Sequence, residues 1–152
     1  MRKTLVAIAA LTTAAALAVA VQSGAEDSAV FPAKISKEDI SGKIFERPDM
    51  IKTTRGDNTT LDVTTLLSSD KKFASGMYKS GKVRFEVTEP YGVDEFMYFL
   101  EGSVTLTSSD GTAQVINAGE AVTIPREWTG VWDTEGYSKI WVIYSEDGSG
   151  LE

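Results

Sequence analysis

The stretch Glu95-Phe96-Met97-Tyr98-Phe99-Leu100-Glu101-Gly102, followed 17 residues later by Gly119-Glu120-Ala121-Val122-Thr123-Ile124-Pro125, decides how the chain is read. Working outward from it, Val83, Phe85 and Val87 alternate with Arg84, Glu86 and Thr88, and Val104 and Leu106 alternate with Ser103, Thr105 and Thr107. A period of two marks strands with one buried face. Ser109-Asp110-Gly111 and Asn117-Ala118-Gly119 punctuate the series as tight turns, and Glu135-Gly136 reads as a further turn between strands at 128–134 and 138–144. About eight short strands without a long helical pattern argue for an all-β, antiparallel sandwich or barrel.

Composition narrows the chemistry. The 152 residues contain no cysteine and no histidine. This excludes Ser-His-Asp and Cys-His nucleophilic catalysis, thiolate or imidazole zinc sites, and disulfides. Carboxylates, hydroxyls, backbone amides, Lys and Arg remain.

The ends read differently from the middle. Met1-Arg2-Lys3, the uncharged run Thr4 to Val21, and Ala25 after Gln22-Ser23-Gly24 predict a secretory signal peptide over residues 1–25, with a cut after Ala20 as the alternative. Its removal leaves 13 Lys+Arg against 22 Asp+Glu, a charge of −9. That surface is expected to repel nucleic acid and anionic membranes, and the chain to be secreted or periplasmic. Residues 26–58 are expected to form an irregular extension packed over the domain or against a partner, with Ser36-Lys37-Glu38-Asp39 opening one helical turn. Arg55-Gly56-Asp57 and Asn58-Thr59-Thr60 are read as turn residues, not as adhesion or glycosylation signals. A barrel over residues 59–146 and a frayed tail over 147–152 complete the expected organisation.

The two quoted stretches resemble the cupin superfamily: a Glu, six residues and a Gly in the first, and a Gly, five residues and a Pro in the second. The run from Asp94 to Tyr144, with Tyr98 to Gly102, Trp132 seven residues after Pro125, and Lys139-Ile140-Trp141, is similar to small single-domain cupins related to (S)-ureidoglycine aminohydrolase and the ethanolamine-utilisation cupin. The resemblance implies a jelly-roll β-barrel. Metal-binding cupins carry a His-x-His before the Glu and a third His after the Pro; here those places hold Glu89-Pro90-Tyr91 and Gly130, and only Glu95 of the ligand set remains. The aminohydrolase uses histidines in binding manganese, so its activity does not transfer. Glu127 stands where a Gly follows Pro-x in the family, which is expected to reshape that turn.

Ligand positions in a cupin point inward, and strand alternation extends this to neighbours. The expected pocket is lined by Glu95, Met97, Trp132, Lys139 and Trp141, with Tyr78, Arg84, Glu86, Tyr91 and Trp128 at its mouth. If Glu95 meets Lys139, the two form a buried ion pair; if not, Glu95 is a desolvated acid or base. Three functions follow: a binding protein for a small polar or sugar-like ligand held near Tyr91, Met97 and the three tryptophans; a hydrolase, isomerase or lyase using Glu95 and Lys139; or a structural homodimer through the strand face of Phe96, Tyr98 and Leu100. No cofactor is expected, with Mn²⁺ or Mg²⁺ on Glu86, Glu89 and Glu95 as a weaker alternative.

Overall fold

The computed structural model describes residues 29–151, and the expected signal peptide lies outside them. From Pro32 onward the chain forms one unit. Among the described residues no helix is long and apolar enough to cross a membrane.

Eight antiparallel strands follow one another: β1 (Ile51–Arg55), β2 (Asn58–Leu67), β3 (Phe73–Ser80), β4 (Val83–Val87), β5 (Asp94–Ser108), β6 (Ala113–Asn117), β7 (Ala121–Ile124) and β8 (Gly130–Tyr144). The two 15-residue strands β5 and β8 pair along their length and form the spine. The N-terminal half of β5 and the C-terminal half of β8 belong to one layer, extended by β7 on one side and by β3, β2 and β1 on the other. The remaining halves belong to a second layer with β4 and β6. Two layers sharing two bent strands make the jelly-roll barrel.

The bend corrects one expectation. Glu135-Gly136 is not a turn between two strands but lies inside β8, opposite the Gly102 region of β5. A glycine with positive φ commonly marks a turn, but here Gly102 (φ +69) and Gly136 (φ +134) sit face to face where both strands fold over and the register shifts. A Cβ on Gly102 would stand 1.9 Å from the Gly136 carbonyl oxygen. Gly102 tolerates no side chain without moving the spine, and at Gly136 the positive φ disfavours one.

The inner faces bury Met97, Phe99, Val104, Leu106, Ile124 and Trp132 as one cluster. A second, smaller cluster lies on the outer face of the first layer. There Ile44, Val63 and Met77 are buried together with Leu100 and Ile140 against them. The stretch expected to be an irregular leader thus does defined work. Ser36 caps a short helix, α1 (Lys37–Ile40), in a reciprocal box with Asp39, and the 3-10 turn Lys43–Glu46 carries Ile44 onto the sheet. Burying one isoleucine contributes about 2 kcal/mol, enough to hold such a segment down. The barrel then begins earlier than expected, because Gly56-Asp57 joins β1 to β2 as a two-residue hairpin. At the other end, residues 147–151 turn back through hydrogen bonds to the Asp147 carboxylate, and Leu151 packs against the inner cluster.

Gly102→Ala is expected to cost at least ~2 kcal/mol, through the clash with the Gly136 backbone and its positive φ. Gly111→Ala, at φ +86 with nothing within 4 Å, should cost only about 1 kcal/mol of backbone strain. Denaturant unfolding of the two variants checks this, and equal losses would refute the hinge.

Candidate functional site

The barrel encloses a cavity of about 570 Å³. Its floor is built around a carboxylate. Glu95 enters from the N-terminal half of β5 and is 4% exposed, and Lys139 enters from β8 and is 5% exposed. The Lys139 ammonium donates to Glu95 Oε1 at 2.6 Å and lies 2.9 Å from Met97 Sδ. The Tyr91 hydroxyl donates to Glu95 Oε2 at 2.5 Å. Burial and the adjacent Glu95 charge push the Tyr91 phenol far up, so it stays a donor at all physiological pH. The Lys139 ammonium also lies 5.4 Å from the Trp132 ring, 5.6 Å from Tyr78 and 5.9 Å from Tyr137. An aromatic cage therefore surrounds the cation on the sides that Glu95 does not.

The walls come from alternation. On β4, Val83 and Phe85 point inward, and Phe85 stacks on Trp132 at 6.0 Å while remaining 45% exposed at the mouth. On β8, Tyr137, Lys139, Trp141 and Ile143 face the cavity. Trp141 lies flat across β3 because residue 76 is glycine: a Cβ there would stand 2.6 Å from the indole ring and 2.1 Å from the Val63 carbonyl oxygen.

Six of the ten residues expected in or around the pocket are brought together: Glu95, Lys139, Trp132, Trp141, Tyr91 and Tyr78 line one cavity. Four are not. Met97 is fully buried beneath Lys139, not on the cavity surface. Trp128 stands behind Tyr91, ring to ring at 6.3 Å, with its indole N–H on Ser108 Oγ at 3.1 Å. Arg84 and Glu86 occupy the outer face of β4, exposed, and Arg84 pairs with Asp133 at 2.7 Å. Neither belongs to the mouth.

Sequence reasoning missed Phe85 and Tyr137 on the cavity wall and, with the largest chemical consequence, Asp62. It arrives from β2, in register with Tyr78 on β3, which is in turn in register with Lys139 on β8. Its Oδ1 and the indole nitrogens of Trp132 and Trp141 are buried without a well-formed hydrogen bond. The Trp141 N–H nevertheless faces Asp62 closely enough to favour its charge, as does Lys139; burial outweighs both and raises the Asp62 pKa above the ordinary aspartate value. Thr60, Asp62 and Thr64 alternate with Leu61, Val63 and Thr65, so a polar face of β2 lines the interior. That pattern is easily read as a solvent face.

The residues at the family's metal positions do not fit a metal. Both Glu95 oxygens are taken, by Lys139 and by Tyr91; Glu89 is exposed, and Glu86 faces outward. Among the described residues no group of three acids capable of holding an ion is assembled. Position 130 has no room for an imidazole, since a Cβ on Gly130 would stand 2.2 Å from the Thr107 carbonyl oxygen and 2.8 Å from the Trp128 ring. The neighbouring turn closes without its family glycine: Trp128 N–H donates to the Pro125 carbonyl at 2.9 Å, and Glu127 keeps a negative φ. Since Glu95 and Lys139 meet, the premise for Glu95 as an unpaired acid or base is not fulfilled.

Lys139→Met is expected to destabilise the fold by about 3–5 kcal/mol by leaving Glu95 charged and uncompensated, whereas the Glu95→Gln, Lys139→Met double variant should recover most of that loss. Urea unfolding of the three proteins tests it; additive losses would show that the two residues do not act as a pair. Asp62 has the opposite sign. Because its native pKa is raised, the native state loses stability as pH rises through and above the ordinary aspartate range. Asp62→Asn should therefore raise the melting temperature at pH 7, by a margin that vanishes as pH falls toward the unfolded value near 3.8.

Residues 67–139 match the family model described as the EutQ-like cupin domain. No curated protein matches the sequence. Among solved structures, a protein of unknown function of the DUF861 family from Pseudomonas syringae is similar with a TM-score of 0.56 and 16% identity, over 62% of this chain and 43% of that one. The chain thus spans less than half of that relative. The Clostridium difficile EutQ protein follows with a TM-score of 0.52 and 20% identity over 65% and 78% of the two chains. The Schizosaccharomyces pombe Cnp3 cupin domain has a TM-score of 0.50 and 13% identity over 65% and 71%. At these identities the likeness concerns the fold. Residues 67–139 are thus similar to the EutQ-like cupin domain, and the jelly-roll topology agrees with the cupin fold of these neighbours.

Proposed function

We propose that the chain is an exported cupin-domain protein that binds a small polar metabolite in its barrel without the family's histidine-held metal. The observation that carries this is the combination of an open cavity of about 570 Å³ with a floor in which Glu95 is paired by Lys139 and Tyr91, and with aromatic walls. Ligand sites typically have such volumes, with mainly apolar walls and a few convergent polar groups. A floor already neutralised by Lys139 and Tyr91 is set before any ligand arrives, which lowers the cost of ordering the site on binding. Export rests on the N-terminal sequence. Homodimerisation is part of the same reading, and it rests on Phe96 and Tyr98, which are 43% and 39% exposed on one strand face. Leu100, on the same strand face, packs with Ile44, Val63 and Met77 under the N-terminal segment and is therefore left out of the proposed interface.

Phe85 offers the cleanest test, because it forms the mouth yet is half exposed and contributes little to the core. In a thermal-shift screen of metabolites against the full chain, the expected result is a ligand that raises the melting temperature and whose effect falls at least tenfold in apparent affinity in Phe85→Ala. A screen without any stabilising ligand, or ligands indifferent to Phe85→Ala, would overturn the reading.

A further inference from the structure

The charges of the deep cavity do not balance. Two carboxylates, Asp62 and Glu95, face one buried cation, Lys139, and that cation is committed to Glu95 at 2.6 Å. The remaining cationic side chain of the lining, Arg55, is exposed at the end of β1, where water screens it. Asp62 receives no hydrogen bond from Lys139, which donates instead to Glu95 and reaches Met97. Asp62 Oδ1 is buried without a hydrogen-bond partner, and the Trp141 indole N–H faces the Asp62 carboxylate. Phe85 and Trp132 present aromatic surface to the same cavity, and the cage around Lys139 shows that rings of this barrel accommodate an ammonium group.

We infer that the cavity selects an organic cation, a protonated amine whose ammonium donates to Asp62 while its carbon skeleton lies against Phe85 and Trp132. This rests on the small-molecule reading above and deepens it by assigning the ligand's charge and its anchoring residue. The chemistry is complementary on three counts. An ammonium supplies the donors that Asp62 lacks, brings the inner charges to two of each sign, and is attracted to the faces of the wall rings. A carboxylate ligand would add a third negative charge to a low-dielectric interior. A neutral alcohol would fill one hydrogen bond and leave the charge uncompensated. Gly76 lets the Trp141 ring lie where its indole N–H faces the Asp62 carboxyl.

Two ligand sets matched in shape and differing in charge test the inference on the full chain: benzylamine, benzyl alcohol and benzoate, and butylamine, 1-butanol and butyrate. The protein's three tryptophans give three indole N–H signals in an ¹⁵N spectrum, with that of Trp141 assigned through Trp141→Phe. An amine is expected to move the Trp141 signal at a concentration at least tenfold lower than its alcohol, with the carboxylate weakest. Asp62→Asn, which is isosteric and leaves the fold intact, should weaken the amine at least tenfold and change the alcohol less than twofold. On the unmodified chain, amine affinity should fall as pH is lowered through the raised Asp62 value, a range in which the amine stays charged. Equal binding of alcohol and amine, preferential binding of the carboxylate, indifference to Asp62→Asn, or no response to any amine would each overturn the inference. A neutral sugar or an anion that binds and depends on Phe85 would sink the cation assignment and leave the binding site standing, whereas failure of the metabolite screen removes both.

Discussion

The barrel depends on how one inward carboxylate is compensated. Glu95 occupies a position that strand alternation turns into the interior, where an isolated charge is costly. Its two oxygens receive an ammonium hydrogen from Lys139 and a phenolic hydrogen from Tyr91, so each lone-pair direction toward the core has a partner. The ammonium in turn is enclosed by Tyr78, Trp132 and Tyr137. Much of the inner packing can be read as the shell of that one pair. Trp128 backs Tyr91, and the backbone bonds from Tyr91 and Gly92 to the carbonyls of Trp128 and Arg126 pin the loop that delivers the phenol.

Such a pair contributes little net stability compared with apolar residues of the same volume. What it provides is a defined orientation. With Lys139 held over by Glu95, the cavity's second acid is left without a cation, and this asymmetry gives the pocket its chemical preference. Two carboxylates a few strands apart thus acquire different roles from their neighbours alone, one closed by its partners and the other open to whatever enters. The supporting geometry is steric: Gly76 gives Trp141 its place, and the Gly102 and Gly136 hinge brings the two layers close enough to share one interior.

Much of this was legible in the sequence, for identifiable reasons. Period-two alternation from Gly130 finds Trp132, while Lys139 and Trp141 share one face of the C-terminal half of β8, out of phase with Gly130 because the register shifts at the bend near Gly136. Placing Arg84 and Glu86 at the mouth runs against the alternation of β4 itself: Val83 and Phe85 are its inward face, Phe85 pairs with Trp132, and the charged neighbours face outward. Glu135-Gly136 misleads because positive φ serves a strand bend as readily as a turn. Asp62 is hidden for a different reason. It lies outside the motifs that carry the resemblance, and its threonine neighbours make an interior polar face look like a solvent-facing one. A short helical leader gives no sign of its landing place, since Ile44 finds its partners Val63 and Met77 only once β2 and β3 exist.

The crowding at Gly130 decides what a side chain at that position would meet. A histidine introduced there by one substitution meets the Thr107 backbone and the Trp128 ring, and Trp128 cannot withdraw without releasing the loop that carries Tyr91. Placing an imidazole at that corner thus requires the Thr107 backbone and the Trp128 ring to move with it.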